Sequence, residues 1–145
     1  MTAGEQTTPK LGVNAATKVY QTASGNLLAL DSCTFDVGAK EIVSIVGPSG
    51  CGKTTLLWCM SGLHSLSAGS INLDGKPITG PHPDIGIVFQ EANLLPWRNL
   101  DANINFPFEI KGTQPDRQWV NHLLHRVGLD GFGGKFPREL SGGMQ

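Results

Sequence analysis

Hydrophobic and polar positions along the chain fall into a few recognisable patterns. Ser32-Cys33-Thr34-Phe35-Asp36-Val37 alternates polar and apolar residues, the period of a strand with one covered face, and Gly38 permits a turn after it. Glu41-Ile42-Val43-Ser44-Ile45-Val46 is nearly continuous in apolar residues, which predicts a strand covered on both faces. It runs directly into a glycine-rich loop at Gly47. From Thr54 to Gly62, Leu56, Leu57 and Met60 recur at helix-compatible spacing, with Gly62 as the stop. Ile71-Asn72-Leu73 alternates into Asp74-Gly75, a strong turn pair. Pro77, Gly80, Pro81 and Pro83 predict a loop, and Ile85-Gly86-Ile87-Val88-Phe89 predicts another buried strand, ending at Gln90.

Beyond Gln90 the period changes. Thr113 and Asp116 match a capping box, and Trp119, Val120, Leu123, Leu124 and Val127 then form one helical face that ends at Gly128. The predicted order is strands, loop and helix, strands, then a helical region from about Asn93. Met1 to Gly12 is polar and has no apolar signal core, which predicts a loose tail. No internal repeat is visible.

Composition narrows the classes. With 145 residues the chain has the length of one domain with its own core, and 39% apolar with 16% charged residues is a globular balance. The net charge is -1 and no lysine or arginine block stands out, which argues against a nucleic-acid partner. No apolar run approaches the ~20 residues of a membrane-spanning helix. Cys33, Cys51 and Cys59 lack metal-site spacing, which predicts reduced thiols in a cytosolic protein. His122 and His125 lie three apart on the predicted helix with no cysteine or carboxylate cluster to complete a zinc site, and are expected to face solvent; His64 and His82 stand alone.

The most informative segment is Gly47-Pro48-Ser49-Gly50-Cys51-Gly52-Lys53-Thr54, a full match to G-x-x-x-x-G-K-[ST] between a predicted buried strand and a predicted helix. The chemistry explains the residue types. Backbone N–H groups can wrap a triphosphate only where side chains do not intrude, which Gly47, Gly50 and Gly52 allow. The helix starting near Lys53 directs its positive end at the anion. Lys53 is expected to reach the β- and γ-phosphates, and the Thr54 hydroxyl to ligate Mg²⁺. Cys51 is either a thiol activated at the helix N-terminus or a small residue that fits a tight loop.

Three further segments narrow a large superfamily. Leu140-Ser141-Gly142-Gly143-Met144-Gln145 resembles the ABC signature motif, with Met144 where the usual motif has glutamine, a variant common in one branch of importers. Gln90, after Ile87-Val88-Phe89, resembles the Q-loop glutamine, and Tyr20 in Lys18-Val19-Tyr20 occupies the place of the aromatic that stacks on adenine. From about Leu11 onward the chain resembles the ATP-binding subunit of an ABC transporter. Residues Pro81 to Trp97, Val127 to Phe132, and Phe136-Pro137 are similar to the branch importing nitrate, aliphatic sulfonates, taurine and related small anions. That branch usually has arginine where this chain has Ile85.

The resemblance implies an α/β fold, a P-loop NTPase of the ABC nucleotide-binding type. It divides into a tail (1–11), a nucleotide-binding core with an antiparallel β part and the P-loop (12–92), and a helical subdomain up to the signature (93–145). It implies ATP and Mg²⁺ as cofactors. The ATP-binding set is Tyr20, Gly47, Pro48, Ser49, Gly50, Cys51, Gly52, Lys53, Thr54 and Thr55, with Ser141, Gly142 and Gly143 reaching the γ-phosphate held by an opposite subunit. Lys53 and Gln90 are the implied catalytic residues, and Thr54 and Gln90 the implied metal ligands. Implied partners are membrane-spanning permease subunits, a second ATP-binding subunit in a homodimer, and indirectly an external substrate-binding protein, with the chain peripheral at the cytoplasmic face of the cell membrane. Trp97 is a candidate contact to the membrane partner, or else a loop-packing residue.

The family pattern continues past the signature with an acidic strand end, a catalytic glutamate and a switch histidine. None can be placed here; Asp74 and Asp84 are candidates by residue type only. For the 145 residues alone the expectation is very slow or absent hydrolysis and weak or no ATP-driven dimerisation. The core sheet is expected to be incomplete, with open edges. The alternative function is a nucleotide- or subunit-binding fragment without turnover.

Overall fold

The computed structural model describes residues 8–145. They fall into two compact units, one ending at Ile87 and the other running from Val88 to Gln145, so the division lies five residues before the boundary placed after Ala92.

The first unit is built on a four-stranded antiparallel sheet in the order β2-β1-β3-β4. β1 is Leu11–Thr22, β2 Gly25–Val37, β3 Ala68–Leu73 and β4 Lys76–Pro77. The helix α1, Lys53–Met60, packs Leu56 and Cys59 against Val13, Ala16, Leu30 and Ile71, and all six are buried. The tail prediction fails at its inner end. Leu11 and Gly12 are strand residues paired with Val37 and Asp36 on one side and with Leu73 and Asn72 on the other. Residues 1–7 lie outside the described part.

β1 escaped the pattern search for a physical reason. Val13 and Ala16 both face the core although they are three apart, a spacing that regular strand alternation forbids. A register shift between them solves this: Ala15 takes a left-handed φ of 46° and its N–H donates to Thr34 Oγ1 at 2.9 Å. The extra residue of a bulge restores the inward face for Ala16. The Asp74-Gly75 turn is as expected. Both residues have positive φ, 50° and 75°, the two-residue geometry that suits the twist of a hairpin. Pro77, expected in a loop, instead ends the short edge strand β4 opposite Asn72, a position where its missing N–H does no harm.

Two predicted buried strands are absent. Residues 41–46 and 85–89 form no ladder, and Ile42, Val46 and Val88 are almost fully exposed. An apolar run becomes a central strand only when neighbours supply hydrogen bonds on both edges and cover both faces. Among the described residues no strand lies beside either run.

The second unit holds α2, Leu100–Lys111, and α3, Arg117–Arg126. Asn99 caps α2 by accepting the Ala102 N–H at 2.8 Å, and Gly112, in the left-handed region at φ 64°, ends it. α3 is capped by Asp116 alone, whose carboxylate accepts from Gln118 and Trp119. Thr113 takes no part in the cap, correcting the expected box. On α3 only Val120 is buried. Together with Leu94, Leu100, Ile104, Leu124 and Leu129 it lines an apolar groove; Leu123 and Val127 of the predicted face also line it but are largely exposed, as is Trp119.

A side chain that the pattern did not flag organises the loop before α2. Asn103 Oδ1 accepts the Leu95 N–H at 2.7 Å, and its Nδ2 donates to the carbonyls of Leu95, Arg98 and Asn99 at 3.2, 2.9 and 3.0 Å. Pro107 has no N–H to offer the Asn103 carbonyl one turn earlier, so this residue's side chain ties the loop while its carbonyl loses a helical partner. Asn103→Ala is expected to lower stability by about 2 kcal/mol, the sum of a few modest net hydrogen bonds, read as a lower midpoint in urea unfolding.

Candidate functional site

The loop 47–52 leaves residues 41–46 and enters α1 at Lys53. Gly50 and Gly52 have φ of 82° and 93°, conformations that residues with a Cβ rarely take. Gly52 is doubly required, since a Cβ there would sit 2.3 Å from the Ala29 carbonyl oxygen and 3.0 Å from Leu30 Cδ2 on β2. The first helical bond, Leu56 N–H to the Gly52 carbonyl at 2.9 Å, follows immediately. Lys53 folds back over the loop and its Nζ donates to the carbonyls of Gly47 and Pro48 at 2.8 and 2.7 Å. Thr54 is exposed and Thr55 half-buried in the first turn. A cation, a hydroxyl and the open N–H groups of a helix start thus converge on one solvent-facing loop, an arrangement suited to a polyanion with a bound cation. These residues fit a nucleoside triphosphate with Mg²⁺.

Cys51 Sγ lies 3.6 Å from Lys53 Nζ and is exposed, while Cys59 is buried in the core. Burial pushes the Cys59 thiol above its ordinary range, with Lys18 opposing more weakly. Iodoacetamide at pH 8 is therefore expected to label Cys51 in the folded protein and to reach Cys59 only on unfolding, measured by peptide mass spectrometry. Equal labelling of both in the native state would contradict the burial argument.

Tyr20 lies near the end of β1, opposite Leu27. It is half-buried, and its hydroxyl is hydrogen-bonded to His64 Nδ1 at 2.7 Å. His64, which the sequence patterns did not connect with Tyr20, meets it from 44 positions away in the chain, and Trp58 packs on His64. No local signal reports such a contact.

The remaining predicted residues belong to the second unit. Gln90 and Trp97 are exposed, Trp97 to 72%, so Trp97 is not packed inside its own unit. Ser141, Gly142 and Gly143 are exposed on a turn in which the N–H groups of Met144 and Gln145 meet the Ser141 carbonyl at 2.9 and 3.2 Å. The turn is anchored by buried Leu140 and by Gln145 Nε2, which donates to the Pro137 carbonyl at 2.7 Å. Just before it, the Phe136 N–H and then Lys135 bond the Glu139 carboxylate, at 2.8 and 3.3 Å, and hold it below the usual carboxylate range. His122 stacks on Trp119, and His125 Nδ1 lies 3.0 Å from Asp130. Asp74 occupies the β3–β4 turn and is paired with Lys10 at 2.7 Å.

Solved structures share this architecture. A dimeric ATP-binding cassette, MJ0796, in a post-hydrolysis state bound to ADP and Pi superposes with a TM-score of 0.77 at 27% identity, over 92% of this chain and 64% of that one. CbiO1 from Clostridium perfringens, part of an ABC transporter complex, gives 0.69 at 27% identity over 92% and 56%. The fold is that of the P-loop NTPases, in its ATP-binding-cassette form. A family profile described as ABC transporter matches residues 30–145, and the chain belongs to that family. Its curated relatives include an uncharacterized ABC transporter ATP-binding protein of Methanocaldococcus jannaschii, 41% identical over 94% of this chain and 52% of that protein. The taurine import ATP-binding protein TauB of Yersinia pestis is 43% identical over 81% and 47%. The aliphatic sulfonates import ATP-binding protein SsuB 2 of Burkholderia cenocepacia is 40% identical over 94% and 48%. The chain spans about half the length of the curated relatives it matches.

Proposed function

We propose that this chain binds MgATP as the phosphate-holding part of the ATPase subunit of an importer for a small anion such as taurine, an aliphatic sulfonate or nitrate. The observation that carries the ATP part is the loop 47–52, open at Gly50 and Gly52, delivering Lys53 and Thr54 at the start of α1. The importer part rests on the likeness to TauB and SsuB 2.

In this proposal the loop amides and Lys53 bind the β- and γ-phosphates, with Lys53 exchanging its two carbonyl partners for phosphate oxygens. Gly47, Pro48, Ser49, Cys51 and Thr55 complete the cradle. Thr54 and Gln90 hold Mg²⁺, which supplies charge neutralisation between the phosphates. Tyr20 offers its ring to adenine, and Gln90 orients water. Ser141, Gly142 and Gly143 meet the γ-phosphate of a second copy in a homodimer, and the surface around exposed Trp97 meets a membrane-spanning permease at the cytoplasmic face. An external substrate-binding protein would deliver the anion. Titration calorimetry of the full-length protein with ATP, with and without Mg²⁺, tests the core of this: saturable, Mg²⁺-sensitive binding is expected, and a folded protein that binds no ATP overturns it. Loss of taurine, sulfonate or nitrate uptake on gene deletion tests the substrate class, and unchanged uptake of all three removes it.

For residues 1–145 taken alone, turnover is proposed to be very slow or absent. Of the two candidate acids, Asp74 pairs with Lys10 in a turn, and Asp84 sits in a loop near His82. Steady phosphate release from this segment, abolished by Lys53→Ala, would overturn this.

A further inference from the structure

The surroundings of Tyr20 form a connected structure rather than a loose aromatic contact. The Tyr20 hydroxyl meets His64 Nδ1 at 2.7 Å, and the two rings pack edge to face, 5.8 Å apart at 78°. His64 in turn packs on Trp58 of α1 with ring centroids 4.8 Å apart, and its backbone N–H donates to the Trp58 carbonyl at 3.1 Å. Lys18 Nζ lies 5.1 Å from the centre of the Tyr20 ring and donates to the Ser65 carbonyl at 2.5 Å. The next residues are stitched to β1 as well: Val19 N–H donates to Ser67 Oγ at 2.9 Å and Ser67 N–H to the Thr17 carbonyl at 2.8 Å.

A tyrosine ring on a strand has two main freedoms, rotation about χ1 and about χ2. A hydrogen bond at the far end of the phenol and a perpendicular ring beside it restrict both. Lys18 covers one face of the ring, so a flat ligand must stack on the other. The residue that supplies the hydrogen bond leans on α1, whose first turn follows the phosphate loop. One short helix of eight residues therefore links the phosphate end of the site with the support of the aromatic ring.

We propose that His64, braced by Trp58, is a positioning residue that holds the Tyr20 ring for stacking on the purine base of a nucleoside triphosphate. This rests on the proposed role of Tyr20 as the base platform. The cost of ordering the ring is met in the folded protein before the ligand arrives, which favours binding without any direct contact between His64 and nucleotide.

The test measures affinities of the full-length protein for MgATP and for inorganic tripolyphosphate, which has no base. Tyr20→Ala, Tyr20→Phe, His64→Ala and His64→Asn are compared with wild type. His64→Ala is expected to weaken ATP binding roughly 3- to 10-fold, the scale of one net hydrogen bond, and to leave tripolyphosphate unchanged. His64→Asn, whose amide can present a polar atom near the position of Nδ1, is expected to recover most of the loss. Tyr20→Phe should match His64→Ala, and the double variant should lose no more than either alone. If Tyr20→Ala weakens ATP but His64→Ala does not, positioning by His64 is wrong and the platform stands. If Tyr20→Ala changes nothing, the platform itself is wrong and the proposal falls with it. Parallel loss of ATP and tripolyphosphate in His64→Ala would mean a merely structural role, and failure of His64→Asn to rescue would remove the hydrogen bond as the cause.

Discussion

Lys53→Ala is expected to weaken MgATP binding by tenfold to a hundredfold and to abolish measurable hydrolysis in the full-length protein. The lysine offers a point charge on a flexible stem, and a hydrogen bond to a charged partner contributes about 1.5–3 kcal/mol, which converts to that range of affinity. The structure adds a reason to expect little damage to the fold. Among the described residues, Lys53 Nζ donates to the Gly47 and Pro48 carbonyls and the Cys51 sulfur, all on an exposed loop where water can replace it. Calorimetry should therefore show lost binding with an unchanged melting temperature. Tripolyphosphate affinity should fall in parallel with ATP, in contrast to substitutions at Tyr20. A variant that binds ATP as well as wild type would remove Lys53 from the site.

Gly52→Ala is expected to have the largest effect on stability, about 3 kcal/mol, together with loss of nucleotide binding. A residue with a Cβ at φ 93° is strained by about 1–3 kcal/mol, and here the new atom also meets the Ala29 carbonyl at 2.3 Å. That carbonyl belongs to β2, an edge strand held by its long pairing with β1, so relief requires the loop and helix to move away from the strand. Gly50 supplies the control. Its φ of 82° is similarly positive, yet nothing lies within 4 Å of a Cβ built there. Gly50→Ala should cost only the backbone strain, about 1 kcal/mol. Denaturant midpoints for the pair decide the matter: equal costs would show that the contact with β2 is unimportant.

Local patterns determined a good part of this protein. The phosphate loop, the helix after it, the Asp74-Gly75 turn and the α3 region with its Gly128 end are set by contacts within a few residues, where glycine conformations, caps and periodicity act directly. The family was legible too, because the loop, Gln90 and the signature are short motifs in a fixed order. Tertiary structure decided the rest. β1 was hidden because its bulge at Ala15 breaks the alternation that marks a strand, and only pairing with β2 and β3 shows why Val13 and Ala16 share a face. The runs 41–46 and 85–89 have the composition of buried strands, but burial is supplied by neighbours, and the described residues provide none. His64 and Trp58 carry no motif at all. His64 comes to Tyr20, with Trp58 packed behind it, because α1 and the segment after it fold back onto β1, and a contact between residues 44 positions apart is a property of the packed chain that no window of sequence contains.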